Sequence, residues 1–366
     1  MTFVRSIVVA FIGAVVMASC TPDNPDPKPE PYSNDSIPAD TVPVAKKGFA
    51  HGADISWATE MEDRGCQFYT ADGKPMECTA LMKEIGFNAV RFRVWVNPTG
   101  KYNTIADVLL KARRARDLGM DIMIDFHYSD SWADPGKQVV PAAWKNQSLN
   151  TMAKSLADHT TEVLTALRND SIDVRWVQVG NEVTNGMLWE TGRVTGNRCQ
   201  EFVTLFNAGA DAVRKVYPEA SVVLHIDNGW NASTTTWFFD LMKGGGARYD
   251  IIGLSLYPSY WDNAKGGYLD WHDRCSKTVT NIRSLHSVYG RPVMICEFGM
   301  PVSEPAMGRE ALQYLLDELE TPENSSWYGG IFYWEPESEK SRNSYDYGAF
   351  SNGRPTDALS PFSPHK

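Results

Sequence analysis

Residues 105–128 read IADVLLKARRARDLGMDIMIDFHY. In the first part, Ile105 to Gly119, apolar side chains recur at three- and four-residue spacing, which predicts an amphipathic helix that ends at a glycine. The second part, Asp121 to Tyr128, is a short apolar run that closes with polar side chains. Such a run is typical of a buried strand whose carboxyl end carries functional groups. The segment therefore predicts a helix followed at once by a strand of a parallel sheet.

The same alternation of strand and helix continues along most of the chain. Eight strand-like runs occur, at Phe49–Ile55, Ala89–Val96, Asp121–Tyr128, Arg175–Val179, Ser221–Ile226, Ile251–Tyr257, Pro292–Glu297 and Gly330–Trp334. Helix-like stretches lie between them, at Thr79–Gly86, Ile105–Gly119, Leu149–Arg168, Cys199–Tyr217, Ser276–Tyr289 and Gly308–Leu319. A doubly wound sheet gives a similar alternation, but eight runs that are apolar on both faces favour a closed (β/α)8 barrel. We expect one such domain over residues 48–366.

Composition excludes several classes of protein. The 366 residues carry a net charge of −10, so the field that would gather nucleic acid is absent and no nucleic-acid partner is expected. Hydrophobic residues make up 43% and charged residues 22%, which is the balance of a globular protein. The aromatic content is 11%, with 12 tryptophans, and this suggests a ligand that stacks on flat rings.

The first 47 residues have the pattern of an export signal and a tether. Residues 1–19 combine Arg5 with an apolar run, Ile7 to Met17, whose length of about eleven residues is too short to span a bilayer. Ala-Ser-Cys follows, which predicts a lipoprotein signal and a lipidated Cys20; ordinary signal cleavage is the alternative. Residues 20–47 are rich in proline and predict an extended tether. We expect the protein in the cell envelope, lipid-anchored to the outer membrane and facing outside, with the periplasmic face as the alternative.

Five cysteines follow Cys20, and this odd number leaves at least one free thiol. Cys66 and Cys78 bracket a short loop and could form a local disulfide, whereas Cys296 lies in an apolar run and is expected to be buried. The chain has no CxxC pair and no His-rich spacing, so we predict no structural zinc site. We also predict no other metal and no cofactor, for reasons that follow from the site and the reaction given below.

Two glutamates lie at predicted strand ends, Glu182 after the fourth strand and Glu297 at the seventh. In a barrel these ends share one rim, and two carboxyl groups flanking one bond are what glycoside hydrolysis requires. We assign Glu182 as general acid/base, because the neighbouring Asn181 amide can bind a sugar hydroxyl. Glu297 is then the nucleophile, kept ionised by Arg91. Each residue alone has an ordinary structural explanation, but their convergence on one rim favours a catalytic site.

Six ordered motifs carry a more specific signal. They are VRFRVWVNP at 90–98, IDFHYSDSWADP at 124–135, GNEV at 180–183, LWETGR at 188–193, HIDNGW at 225–230 and FYWEP at 332–336. In sequence and order they resemble the endo-β-1,4-galactanases of glycoside hydrolase family 53, over about Gly48 to Leu359. The resemblance implies a retaining (β/α)8 enzyme that cuts internal β-1,4 bonds of galactan, including the arabinogalactan side chains of pectin, with Glu182 and Glu297 in the roles given above.

The resemblance also implies a set of substrate-binding residues. Arg91 and Asn181 support the two glutamates, and His127, Tyr257 and Trp334 line the sugar site, with Trp334 as the platform beneath the reacting sugar. The residues implied for the flanking subsites are Trp95, Trp132, Asp134, Trp189 and Trp230. Some relatives bind calcium between the loops after strands 7 and 8. Here the first of these loops, residues 298–310, is short, and Ser344 and Asp346 alone are insufficient for a calcium site.

Two alternatives stay open at this point. A retaining barrel enzyme acting on mannan or glucan would show the same carboxylates, and a lipid-anchored glycan-binding protein would keep the aromatic residues without catalysis. The presence of both glutamates argues against the second. The expected partner is a polysaccharide chain, and the expected oligomeric state is a monomer.

Overall fold

The computed structural model describes residues 48–363. Within them, eight parallel strands close into a barrel and follow one another around it in chain order. These strands are β1 (Ala50–Asp54), β2 (Ala89–Val94), β3 (Asp121–Phe126), β4 (Trp176–Val179), β5 (Ser221–Ile226), β6 (Ile251–Leu256), β7 (Val293–Phe298) and β8 (Tyr328–Trp334). The (β/α)8 barrel predicted from the sequence is confirmed. The predicted signal and tether, residues 1–47, lie outside the described part of the chain.

Helices connect successive strands and surround the barrel. They are Ala58–Asp63, Cys78–Ile85, Ile105–Asp117, Leu149–Asn169, Gln200–Val216, Ala232–Gly245, Trp271–Tyr289, Pro305–Leu319 and Lys340–Asn343. The helix Ala232–Gly245 was not among the predicted helices, because its three consecutive threonines and its terminal glycines weaken the helical pattern. No helix of residues 48–363 is long and apolar enough to cross a membrane.

The helix ends follow from local hydrogen bonds. Thr104 and Ser148 each accept a bond from the backbone N–H three residues ahead, at Asp107 and Thr151, and thereby cap their helices. At the other end, Gly86 has φ of 122°, a conformation that favours glycine and lets the chain leave the helix for the next strand. Gly86, which the sequence predicts as a helix end, is therefore the residue at which the chain leaves the helix.

The barrel interior has an apolar floor and a polar top. The floor is formed near the amino ends of the strands by Ala50, Ala89, Met123, Trp176, Val223, Ile251, Met294, Cys296 and Phe332. Gly52 makes room for this layer, since a Cβ there would lie 2.1 Å from the Phe332 ring. Polar residues are thus left for the carboxyl ends of the strands, where active sites of such barrels lie.

All five cysteines of the described chain are free thiols. The disulfide considered for Cys66 and Cys78 is not formed. Cys78 opens a buried helix, and burial raises the pKa of its thiol well above the ordinary value. Cys296 is fully buried in the barrel floor, as its apolar run predicts.

Candidate active site

A sharp turn after β4 presents Glu182 at the barrel mouth. Gly180 has φ of 88°, and a Cβ there would lie 2.7 Å from Val183 Cγ1, so glycine is required by both conformation and space. Glu182 itself has φ of 46°, an uncommon value for a residue with a side chain. Its backbone N–H donates to His225 Nδ1 at 3.3 Å. The turn is therefore held from β5, and the Glu182 side chain is left partly exposed.

Glu297 lies near the end of β7 and is 5% exposed. Its Oε1 is 2.9 Å from Arg91 Nη2, and its Oε2 accepts a hydrogen bond of 3.0 Å from the Tyr257 hydroxyl. The structure thus brings together Glu297, Arg91 and Tyr257 as the sequence interpretation expects. Both carboxylate oxygens are oriented by fixed donors, which is the preorganisation that a nucleophile needs.

Arg91 is shared by three buried carboxylates. Besides Glu297, Arg91 Nη1 lies 2.7 Å from Asp54 Oδ2 and Nη2 lies 2.9 Å from Asp125 Oδ2. The same Nη2 donates to the Asn181 side-chain oxygen at 2.9 Å. One guanidinium thereby ties β1, β2, β3, β4 and β7 together beneath the reaction site.

The two glutamates differ in proton affinity. Burial raises the pKa of Glu297 above its ordinary value, although Arg91 opposes the shift. Burial also raises the pKa of Glu182, further than that of Glu297, and the neighbouring charge of Glu297 is the second cause. Because two adjacent carboxylates resist double ionisation, Glu297 ionises first and the remaining proton rests on Glu182.

Asn181 belongs to this network as well as to the cleft surface. Its side-chain N–H donates to the Ala133 carbonyl at 2.9 Å, and its oxygen lies 3.1 Å from His225 Nδ1. His225 Nε2 contacts the Ser255 hydroxyl at 2.8 Å, and burial keeps the pKa of His225 well below its usual range, so the ring is neutral. The amide is thus fixed in orientation.

Sequence reasoning assigned no role to several members of the network. They are Asp54, Asp125, Gln178, His225 and Ser255. A signal was present, because all five are polar residues in or at the end of a buried barrel strand. In a barrel of this kind such a residue is expected to point inward near the site.

His127 and Asp134 both make hydrogen bonds within the segment that follows β3. His127 is 3% exposed; its Nδ1 accepts from the Ala133 N–H at 3.1 Å, and its Nε2 lies 3.0 Å from Asp125 Oδ2. The Nδ1 atom is therefore used by a backbone N–H, and Nε2 faces the Asp125 carboxylate. Asp134 accepts from the Gly136 N–H at 2.7 Å and stabilises the turn after β3. Their assignment to substrate binding stays a prediction.

Four tryptophans form one group beside the glutamates, which we call the tryptophan cluster: Trp57, Trp95, Trp132 and Trp334. Trp57 lies 5.2 Å from Trp334 and 5.6 Å from Trp132, measured between ring centroids. Arg93 lies behind them, with its guanidinium carbon 4.2 Å from the Trp132 ring and 5.1 Å from the Trp57 ring. Three of the rings line a cavity of about 370 Å³ that opens to the surface. Trp57 was not predicted to contribute.

Arg93 forms an ion pair with Glu335, the first of two buried glutamates, Glu335 and Glu337. Glu335 directly follows Trp334, contacts Arg93 Nη1 and accepts from the Trp57 backbone N–H at 3.1 Å. Glu337 is fully buried, and the neighbouring charges that act on its carboxyl, those of Glu335 and Asp54, are both negative. Burial and the charge of Glu335 raise the pKa of Glu337 well above its ordinary value, so its protonated carboxyl donates to Glu335.

The pKa of Glu337 leads to a prediction about stability. A carboxyl group that is protonated in the native state and ionised in the unfolded state costs about 1.4 kcal/mol per pH unit, from the unfolded pKa near 4.3 up to the native value. Glu337→Gln removes this cost and keeps a donor to Glu335. We expect the unfolding free energy of the variant, relative to the wild type, to rise by about 1 kcal/mol or more between pH 5 and pH 8.

Urea unfolding at several pH values measures this difference. Glu310→Gln, at an exposed position that pairs with Arg309, is the control and should show no trend with pH. A flat difference for Glu337→Gln would mean that Glu337 is ionised in the folded protein.

The remaining predicted aromatic residues lie at the edge of the site. Trp230 follows β5 and faces the guanidinium of Arg274, whose carbon is 4.7 Å from the ring. Trp189 faces Arg193 at 4.3 Å and lines a second cavity of about 520 Å³. The structure therefore places both outside the tryptophan cluster.

No metal-binding group stands out in the described part of the chain. Among residues 48–363, no cluster of three or more His, Cys, Asp or Glu side chains is arranged to hold an ion. Ser344 and Asp346 lie in the loop after β8, which is one of the two loops between which some relatives bind calcium according to the sequence resemblance.

Tyr257 offers a test of the pKa argument. Its hydroxyl donates to ionised Glu297 and so lowers the pKa of that carboxyl. Tyr257→Phe removes a bond worth about 1.5–3 kcal/mol to a charged group, so the pKa of Glu297 rises. We expect the acidic limb of the kcat/KM profile to move up by roughly one pH unit while the basic limb stays in place. Tyr289→Phe, which loses a hydroxyl bonded to Asp240 on the outer helices, should leave the profile unchanged. An acidic limb that stays or moves down contradicts the argument.

A (β/α)8 barrel with two electrostatically coupled carboxyl groups at its mouth, one of which has the higher pKa, is typical of a glycoside hydrolase. The family model of glycosyl hydrolase family 53 matches residues 50–363. The chain belongs to this family.

Named relatives and solved structures agree with this assignment. A protein of Neosartorya fischeri named "Probable arabinogalactan endo-beta-1,4-galactanase A" is 34% identical over 262 residues, which cover 69% of this chain and 70% of the relative. The endo-β-1,4-galactanase of Bacillus subtilis is 30% identical over 318 residues, covering 79% and 70%. A solved structure described as one of two fungal β-1,4-galactanases superposes with a TM-score of 0.76 at 26% identity, covering 87% of this chain and 99% of that one.

Proposed function

We propose that this enzyme hydrolyses internal β-1,4 bonds of galactan, including the arabinogalactan side chains of pectin, with retention of configuration. The observation that carries the proposal is the pair Glu182 and Glu297, in which Glu297 is oriented by Arg91 and Tyr257 and Glu182 has the higher proton affinity. The named galactanases among its relatives support the choice of galactan.

In the first step a Glu297 oxygen attacks the anomeric carbon. The bond from that carbon to the leaving oxygen breaks, and Glu182 gives its proton to this oxygen. The result is a galactosyl ester on Glu297 and a released chain with a free hydroxyl. Arg91 and Tyr257 hold Glu297 through its two oxygens while the ester forms.

In the second step a water molecule attacks the same carbon from the side that the leaving chain has vacated. Glu182, now a carboxylate, accepts a proton from this water, and the ester bond to Glu297 breaks. Two inversions give net retention. This mechanism requires the two carboxyl groups to be about 5–5.5 Å apart.

The surrounding side chains position the sugar. Trp334 offers a flat apolar face suited to the C–H face of galactose. The Asn181 amide has two N–H groups and uses one for the Ala133 carbonyl, so the other can bind a sugar hydroxyl near the reacting carbon. The rest of the tryptophan cluster lies next to Trp334 and suits the neighbouring sugars.

Release of reducing ends from unbranched β-1,4-galactan tests the proposal, with mannan and glucan as controls. We expect cleavage of galactan alone, early products of intermediate length, and a β-anomer as the first product by NMR. Cleavage of mannan or glucan instead would keep the two-carboxylate chemistry but reject the substrate. Binding without cleavage would favour a glycan-binding protein.

We also propose that the protein is held at the outer membrane by a lipid on Cys20, facing outside. The apolar run, the Ala-Ser-Cys sequence and the proline-rich residues 20–47 support this location. Cys20→Ala should move the enzyme from the membrane fraction to the soluble fraction without loss of specific activity. Protease treatment of intact cells distinguishes the outer face, where the enzyme is digested, from the periplasmic face, where it is protected.

A further inference from the structure

A small hairpin follows β6 and carries an exposed aromatic surface. Its strands, Trp261–Asp262 and Gly267–Tyr268, pair antiparallel, with Trp261 opposite Tyr268. The Trp261 side chain is 52% exposed, more than any other tryptophan of the chain, and Tyr260 is 41% exposed. None of the six sequence motifs that carry the family resemblance includes this hairpin.

The hairpin is fixed to the loops that surround the active site. Arg274 lies between Tyr260 and Trp230, with its guanidinium carbon 4.9 and 4.7 Å from the two rings. Its Nη1 donates to the Tyr257 carbonyl at 3.2 Å. Because the Tyr257 hydroxyl contacts Glu297, a continuous set of contacts runs from the nucleophile to the hairpin.

A second attachment leads to the loop after β7. The Tyr268 hydroxyl lies 2.8 Å from the Ser303 hydroxyl. Tyr268 also packs edge-to-face against Trp261, with ring centroids 5.3 Å apart. Internal packing thus fixes the Trp261 ring, yet more than half of its surface still faces solvent. Packing within the hairpin does not account for that exposed face.

The chemistry of this surface fits a sugar chain. Two exposed aromatic rings offer flat faces for the C–H face of galactose, and they are mounted on a fixed hairpin, so little conformational entropy is lost on binding. The guanidinium held between Tyr260 and Trp230 adds donors for sugar hydroxyls. Arg274 also joins this surface to Trp230, one of the residues implied for the flanking subsites.

We propose that the hairpin of residues 258–270 is a distal galactose-binding platform, in which Trp261 and Tyr260 stack on sugar units remote from the bond that is cut. This proposal rests on the proposed function for the identity of the polymer. It makes the enzyme favour long chains, because a short oligosaccharide that fills the central site does not reach the hairpin.

The test compares kcat/KM on long galactan with kcat/KM on galactotriose. We expect the ratio of the two to fall about five- to tenfold in Trp261→Ala, through a higher KM on the polymer, and to recover in Trp261→Phe. Val288→Ala is the matched control, because Val288 is 55% exposed on the helix Trp271–Tyr289 and should leave the ratio unchanged. Thermal melting confirms that each variant is folded.

Binding gives an independent readout. In the Glu297→Ala background, Trp261→Ala should weaken retardation by galactan in affinity electrophoresis. The proposal is overturned if Trp261→Ala changes neither the ratio of the two kcat/KM values nor the retardation by galactan. It is also overturned if the wild type is a dimer that becomes monomeric in Trp261→Ala while the kcat/KM ratio is unchanged, because a second copy of the chain then covers the hairpin. If the wild type cuts mannan or glucan and not galactan, the same comparison on that polymer separates failure of the platform from failure of the substrate assignment.

Discussion

Glu297→Ala is expected to lower kcat on galactan by roughly four to six orders of magnitude, the size of loss seen when a covalent nucleophile is removed. The cause is chemical rather than structural, since the variant can no longer form the galactosyl ester. Arg91 keeps Asp54, Asp125 and Asn181 as partners. The fold and the affinity for galactan should therefore persist, as measured by circular dichroism and by binding.

Azide distinguishes the two glutamates. In Glu297→Ala a small anion can occupy the space of the lost carboxylate and attack an activated galactoside directly, which gives the α-galactosyl azide. In Glu182→Ala the ester still forms, and azide then attacks it to give the β-galactosyl azide. The opposite pairing of variants and anomers would mean that the roles of Glu182 and Glu297 are exchanged.

Arg93→Met is expected to destabilise the fold by about 3–5 kcal/mol, because it leaves the carboxylate of Glu335 buried without a cationic partner. Arg93 and Glu335 are both fully buried, Arg93 on β2 and Glu335 directly after β8, and β1 lies between these two strands. The loss should also raise KM for galactan, since Glu335 holds the Trp57 backbone and adjoins Trp334. Urea unfolding and steady-state kinetics measure the two effects.

Two further variants make the Arg93 argument specific. Arg113→Met removes a cation from a pair with Asp170 that is partly exposed to solvent, and it should change stability far less. The double variant Arg93→Met/Glu335→Gln should be more stable than Arg93→Met alone, because the uncompensated charge is gone. Equal effects of Arg93→Met and Arg113→Met would contradict a structural ion pair beneath the tryptophan cluster.

Sequence reasoning reached the barrel and its two glutamates because both depend on local pattern. Each strand is a short apolar run, and Glu182 and Glu297 stand at the ends of such runs, where the topology of a parallel barrel brings them to one rim. The pairing of Arg93 with Glu335 could not be read in this way. It depends on how β1, β2 and β8 lie side by side and on which side chains turn inward, information that no single segment contains.

His127 is another residue whose hydrogen-bond partners could not be predicted from the sequence. The family resemblance implies contact with sugar, and the structure adds that the two ring nitrogens lie beside Asp125 and the Ala133 N–H. The helix Ala232–Gly245 was missed for a simpler reason, since local composition obscured a helix that tertiary packing stabilises. Position along a strand is thus predictable, whereas hydrogen-bond partners require the assembled barrel.

Because the pKa of Glu182 depends on the charge of Glu297, it changes during the proposed catalytic cycle. In the resting enzyme that charge helps to keep the proton on Glu182. Once Glu297 is esterified, its negative charge disappears, while the positive charge of Arg91 remains nearby. The proton affinity of Glu182 then falls at the stage when Glu182 has to remain a carboxylate and accept a proton from water. In the proposed mechanism, formation of the ester therefore lowers the pKa of Glu182, so that this one side chain can serve first as acid and then as base.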